Sequence, residues 1–158
     1  LALLAEVHDL LTPQLKKNQV EWCQVDGFQP YTVFAVRNNL KQVFINLCLN
    51  AIEAMEADQE GKITVCLHAS PDAQRVGIDF HNTGPLISDE ALPLIFDPFF
   101  TTKPAGEGTG LGLSISHDII VKQHGGSIEV DTQPGQFTEI KIILPRAAVF
   151  LAESRGGV

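Results

Sequence analysis

From Arg37 to Met55, Leu40, Val43, Phe44, Leu47, Ala51, Ile52 and Met55 recur at helical spacing and fall on one face. An apolar stripe of that width needs a flat partner, which means a sheet. The strands that could supply it come in pairs. Lys62 to Ala69 and Gln74 to His81 flank a Ser70-Pro71-Asp72 turn, and Ser127 to Asp131 precedes Phe137 to Leu144, so two hairpins are expected. Val20 to Asp26 reads as a further strand ended by Gly27, and Tyr31 to Val36 as a weaker extended piece. Two more helices are expected. Leu3, Leu4, Val7, Leu10 and Leu11 mark a short one closed by Lys16-Lys17-Asn18, and Leu111 to Gln123 forms another that stops at Gly125-Gly126, a C-cap signal. Hairpins with helices between them predict an α+β fold, a mixed sheet covered on one face by helices.

The chain has 158 residues, 44% of them apolar, enough for one domain with a real core. Eleven basic against nineteen acidic side chains leave a charge of −8. Such a surface repels phosphate backbones and anionic headgroups, so neither nucleic acid nor direct membrane contact is expected. No apolar run is long enough to span a bilayer, and no secretion signal is visible, so the expected location is cytoplasmic. Cys23, Cys48 and Cys66 are far apart and lack C-x-x-C spacing, which argues against a disulfide framework or zinc finger and for reduced core residues. The chain starts at Leu1 and its one methionine is Met55, so it is expected to be a piece of a longer protein.

Four short motifs carry chemistry. Asn46 and Asn50 lie four residues apart on the long helix, stacked at the border of its apolar face with Gln42 and Glu53. Asparagine is a poor helix former, and two of them here form either a half-exposed polar edge or paired amide oxygens aimed at a cation or phosphate. Gly106-Glu107-Gly108-Thr109-Gly110-Leu111-Gly112 places glycine at every second position and runs into a helix. Bare backbone amides beside a helix N-terminus suit phosphates, yet the run fits neither G-x-G-x-x-G nor G-K-[ST]. Asn82-Thr83-Gly84 and Ile95-Phe96-Asp97-Pro98-Phe99 complete the set.

In this order the motifs resemble the ATP-binding catalytic domain of sensor histidine kinases, in the superfamily that includes gyrase-type ATPases and the large heat-shock chaperone. Asn46 to Ala51 is similar to its N box, Asn82 to Gly84 to its first glycine box, Phe96 to Phe99 to its F box, and Gly108 to Gly112 to its second glycine box. The resemblance covers roughly Leu3 to Pro145. It implies a two-layer α/β sandwich of the Bergerat type over residues 1–145, followed by a tail over 146–158.

The resemblance also implies roles. ATP and Mg²⁺ are the cofactors, with Asn50 as the Mg²⁺ ligand and Asn46 close to the ion or the phosphates. Asn82, Gly84, Gly108, Thr109, Gly110, Leu111, Gly112 and Thr138 would bind ATP, Thr138 through water to the adenine. Thr101 to Gly110 would form a lid, and Lys103, its only cation, is nominated with Asn46 for catalysis on the γ-phosphate. Asn82 replaces the family's usual aspartate, while Leu86 and Phe137 stand where glycines are common.

The expected activity is transfer of the ATP γ-phosphoryl to a histidine on a separate dimerisation domain of the same parent, which a membrane can anchor. The response regulator would be the other partner, and the chain by itself should not autophosphorylate. Two rivals stay open, an ATPase of the gyrase or chaperone kind and a binding module whose nucleotide site has decayed. His8-Asp9-Leu10-Leu11-Thr12-Pro13 imitates the box around the family's phosphorylated histidine. It is refused, because a strand, Pro30 and the start of a helix fill the gap to Asn46 and leave no room for the helical hairpin that carries that histidine.

Overall fold

The computed structural model describes residues 2–25, 31–55, 61–83, 90–98, 112–133 and 136–147. Helix α1 (Ala2–Lys17) buries Leu4, Val7, Leu11 and Leu15. Its helical spacing continues through Pro13, which lies inside the helix. Strand β1 (Val20–Val25) comes next, and the weak extended piece expected from Tyr31 reduces to one bridge, Val33 to Arg146. Helix α2 (Arg37–Ala54) lies where the periodicity put it. Leu40, Val43, Phe44, Leu47 and Ile52 are all buried, as is Cys48, and each such side chain withdrawn from water contributes about 1.5–3 kcal/mol.

Strands β2 (Gly61–Ala69) and β3 (Arg75–Asn82) form the first hairpin. Its turn is closed by Ala73 N–H to the Ser70 carbonyl at 2.8 Å, and Gln74 N–H to Asp72 Oδ1 at 3.0 Å. The Ser70 hydroxyl and then the Gln74 amide hold the Asp72 carboxyl below its usual range. Strands β4 (Ser127–Gln133) and β5 (Phe137–Pro145) form the second hairpin, and β3–β5 pairing fuses the two into one sheet ordered β1-β2-β3-β5-β4. Among the described strands only the β1–β2 pair is parallel, so the sheet is mixed and mainly antiparallel, as expected.

Along β3, Val76, Ile78, Phe80 and Asn82 point to the helix side, where the Phe44 and Phe80 rings meet at 5.4 Å. The opposite face carries Cys23, Cys66, Asp79 and Glu139, all partly exposed. This corrects the expectation of three core cysteines: Cys48 alone is buried, and period-two alternation puts Cys23 and Cys66 on the other face.

The last helix is not uniform. α3 (Gly112–Asp118) passes into a π-helical turn, Ile119–Gln123. Gly125 then takes φ +62°, the left-handed value a helix C-cap needs. At Gly126 a Cβ would stand 2.3 Å from the Ile143 carbonyl oxygen, so only glycine lets the chain leave the helix and enter β4.

Candidate functional site

Asn82 ends β3 and Thr138 is the second residue of β5, and the register sets them directly opposite each other. Both lie on the helix side of the sheet and are buried, at 8% and 6% exposure. Strand periodicity decides this, since each keeps the parity of its strand's apolar set. A buried polar pair has to be satisfied. Yet Thr138 Oγ1 has no hydrogen-bond partner among the described residues. An unpaired buried hydroxyl costs about 1–3 kcal/mol, which a molecule bound at that end of the sheet would recover.

Helix α2 runs toward this same end. Its Phe44 sits on Phe80, while at its far end the Met55 sulfur lies against Gly61, two residues before Ile63, the β2 partner of Asn82. Asn46 and Asn50 therefore lie on the stretch of helix between those two anchors, and both are half-buried. Their amide oxygens are hard neutral donors, the class that Mg²⁺ takes alongside phosphate and water. Among the described residues no three of His, Cys, Asp and Glu gather into a metal-binding group.

Gly112 opens α3 and its carbonyl accepts the Ser116 hydroxyl at 2.8 Å. Ser114 and Ser116 are both buried, on a helix that packs against α2. Neither stands out in the sequence, because two small residues at i and i+2 make no apolar period. Phe96 packs its ring on His117 at 5.3 Å, linking the F-box segment to α3. Gly84, Lys103, Gly108, Thr109, Gly110 and Leu111 lie outside the described residues.

His8 sits on α1 with its ring 5.3 Å from Trp22 and its Nδ1 3.5 Å from Asp9, on the first helix of this domain. Burial pushes the Cys48 thiol up to about 12, so it is an inert core group. Cys66 is also raised, by burial and then by Asp79, Glu139 and Cys23.

Residues 35–148 match the family described as histidine kinase-, DNA gyrase B- and HSP90-like ATPase. Sensor kinase CckA of Brucella abortus is 38% identical over 157 residues, 91% of this chain but 16% of that protein, so the chain spans about a sixth of this relative. The catalytic domain of histidine kinase ThkA superposes with a TM-score of 0.80 at 35% identity, covering 92% of each chain. ThkA has also been solved in complex with the response regulator protein TrrA. Full-length ShkA in complex with AMPPNP gives a TM-score of 0.79 at 28% identity, over 92% of this chain and 30% of that one.

Proposed function

Because the chain belongs to the histidine kinase-, DNA gyrase B- and HSP90-like ATPase family, and within it is the ATP-binding catalytic domain of a sensor histidine kinase, we propose that it transfers the γ-phosphoryl of ATP to a histidine on a separate dimerisation domain of its parent. The observation that carries the site is the buried Asn82–Thr138 pair with its unpartnered hydroxyl, at the end of the sheet toward which α2 brings Asn46 and Asn50. In this reading Asn82 and Thr138 hold the base, Thr138 through water. Asn50, with Asn46 a turn before it, holds Mg²⁺ against the phosphates. When bound, Mg²⁺ neutralises phosphate charge. Gly84, Gly108, Thr109, Gly110, Leu111 and Gly112 contribute backbone amides to the nucleotide, and Lys103 meets the γ-phosphate.

What these residues do is position and compensate charge. An amide cannot accept a proton at neutral pH, so Asn46 does not activate water, and this favours transfer to an external acceptor over hydrolysis. By itself the domain would then be inactive in autophosphorylation. We assign the kinase domain to residues 1–145 and a tail to 146–158, the start of which is held by Arg146 N–H to the Gln74 carbonyl and Ala147 N–H to the Thr32 carbonyl. The partners in this reading are the dimerisation domain and a response regulator, the latter supported by the ThkA–TrrA complex. The proposed location is the cytoplasm. No described helix is long and apolar enough to cross a membrane.

Titrating ATP into the chain with and without Mg²⁺ tests this reading. Micromolar binding that needs Mg²⁺ is expected. Absence of any nucleotide binding would establish the decayed-module alternative instead.

A further inference from the structure

His124 lies directly after the π-helical turn and is buried at 9% exposure. Its two ring nitrogens have opposite tasks. Nδ1 lies 2.7 Å from the Ile119 carbonyl oxygen and donates to it, so Nδ1 carries the proton. Nε2 lies 3.0 Å from the Val36 backbone nitrogen and accepts its N–H, so Nε2 is bare. Only the neutral tautomer protonated at Nδ1 satisfies both bonds.

Val36 is where α2 begins. Its carbonyl accepts Leu40 N–H at 3.0 Å, and no side chain caps the helix at this residue. Two further contacts secure the first turn. Asn39 Nδ2 donates to Gln123 Oε1 at 2.8 Å, and Arg37 pairs with Glu6 of α1. The far end of the α3–π segment is thereby joined to the start of α2 by one part-buried imidazole bond and one exposed amide bond. The π turn contributes to this: its i→i+5 geometry adds a residue to the turn and redirects the backbone at His124.

We propose that His124 is a positioning residue that fixes α2, with Asn46 and Asn50, relative to α3, whose first residue Gly112 ends the glycine-rich run. The inference rests on the reading that these two helices wall the nucleotide site. Released from the imidazole, the start of α2 keeps the non-directional packing of Leu40 and exposed ties to the π turn and to α1, and the asparagine ladder loses its set distance from the α3 N-terminus. The imidazole thus acts on nucleotide through both helices without touching it.

The test uses the whole chain and three variants. Histidine ¹⁵N NMR of the parent should show His124 protonated at Nδ1, and an Nε2–H tautomer would overturn the proposal. Mg-ATP affinity is then measured by calorimetry at a temperature where circular dichroism shows each variant folded. His124→Leu fills the space without either bond and should weaken ATP by about tenfold. His124→Gln offers one donor and one acceptor and should return binding to within about threefold of the parent. Should the leucine variant not fold, Asn39→Ala decides in its place, with an expected loss of about twofold to threefold. Parent-like ATP affinity in a folded His124→Leu variant with a lowered Tm would mean that the histidine only supports the fold. A parent chain that binds no ATP overturns the nucleotide-site reading itself, whereas a binding parent with an equally binding leucine variant overturns this inference alone.

Discussion

Asn82 and Thr138 face each other across β3 and β5, buried on the helix side of the sheet, and the threonine hydroxyl has no partner among the described residues. This pairing makes the two side chains one recognition unit at the end of the sheet. A carboxylate at position 82 could only accept, and would repel the oxygen of guanine. An amide has both an acceptor and donors and can turn to meet either base. Asn82→Asp should therefore bind ATP about five- to tenfold more tightly and widen the ATP-over-GTP preference, since a charge-assisted bond replaces a neutral one. Competition binding of both nucleotides decides it, and equal ATP/GTP ratios in the two proteins would show that Asn82 does not read the base.

Thr138→Val should move stability and binding in opposite directions. Removing an unpaired buried hydroxyl relieves a cost of about 1–3 kcal/mol, so the Tm of the free chain should rise while its ATP affinity falls. Thermal denaturation and calorimetry on one sample measure both. A drop in Tm together with unchanged affinity would place the hydroxyl in the core's own network.

Asn50→Ala should keep the fold and lose the Mg-dependent part of ATP binding, because a site with few protein oxygens has none to spare. Calorimetry with and without Mg²⁺ reads this directly. Wild-type Mg-ATP affinity in the variant would move the metal site elsewhere.

Incubated alone with labelled ATP, these 158 residues should gain no acid-labile label, since their one motif-like histidine, His8, is held on α1 with its ring against Trp22 of β1. Adding the helical hairpin domain of its parent should restore transfer. Label on His8 in the isolated chain would sink the reading.

Cys48 makes a pH prediction. Its thiol is raised from an ordinary 9.0 to about 12 by burial. Above pH 9 the unfolded chain loses this proton while the folded one keeps it, so stability is intact below 9 and falls toward 12, by about 1.4 kcal/mol per pH unit. Denaturant melts between pH 9 and 11 should show a shallower decline in Cys48→Ala than in the parent. Parallel slopes would mean that other groups carry the alkaline loss.

Much of the fold is legible in the sequence because it is local. The helix from Arg37, both hairpins and the Gly125-Gly126 stop arise from periodicity and turn chemistry, which act over a few residues. The asparagine ladder and the glycine run are readable for the same reason, and four motifs in order point to the family. Local pattern misses the long-range features. Tyr31 to Val36 reads as a weak extended piece, yet only Val33 pairs, through one bridge to Arg146 at the far end of the chain. The helical run ending at Gln123 shows no sign of its π turn, and the next residue, His124, reaches a partner 88 residues away.

Sequence by itself determined which segments are helix or strand and which residue types can meet a nucleotide, since hydrophobic period and side-chain chemistry are properties of neighbours along the chain. Tertiary structure alone decided that Asn82 meets Thr138, that α2 runs toward them, and that His124 ties Val36 to the end of the α3–π segment. Those relations depend on strand register and helix packing, which are set by burying the whole apolar surface at once and have no local signature.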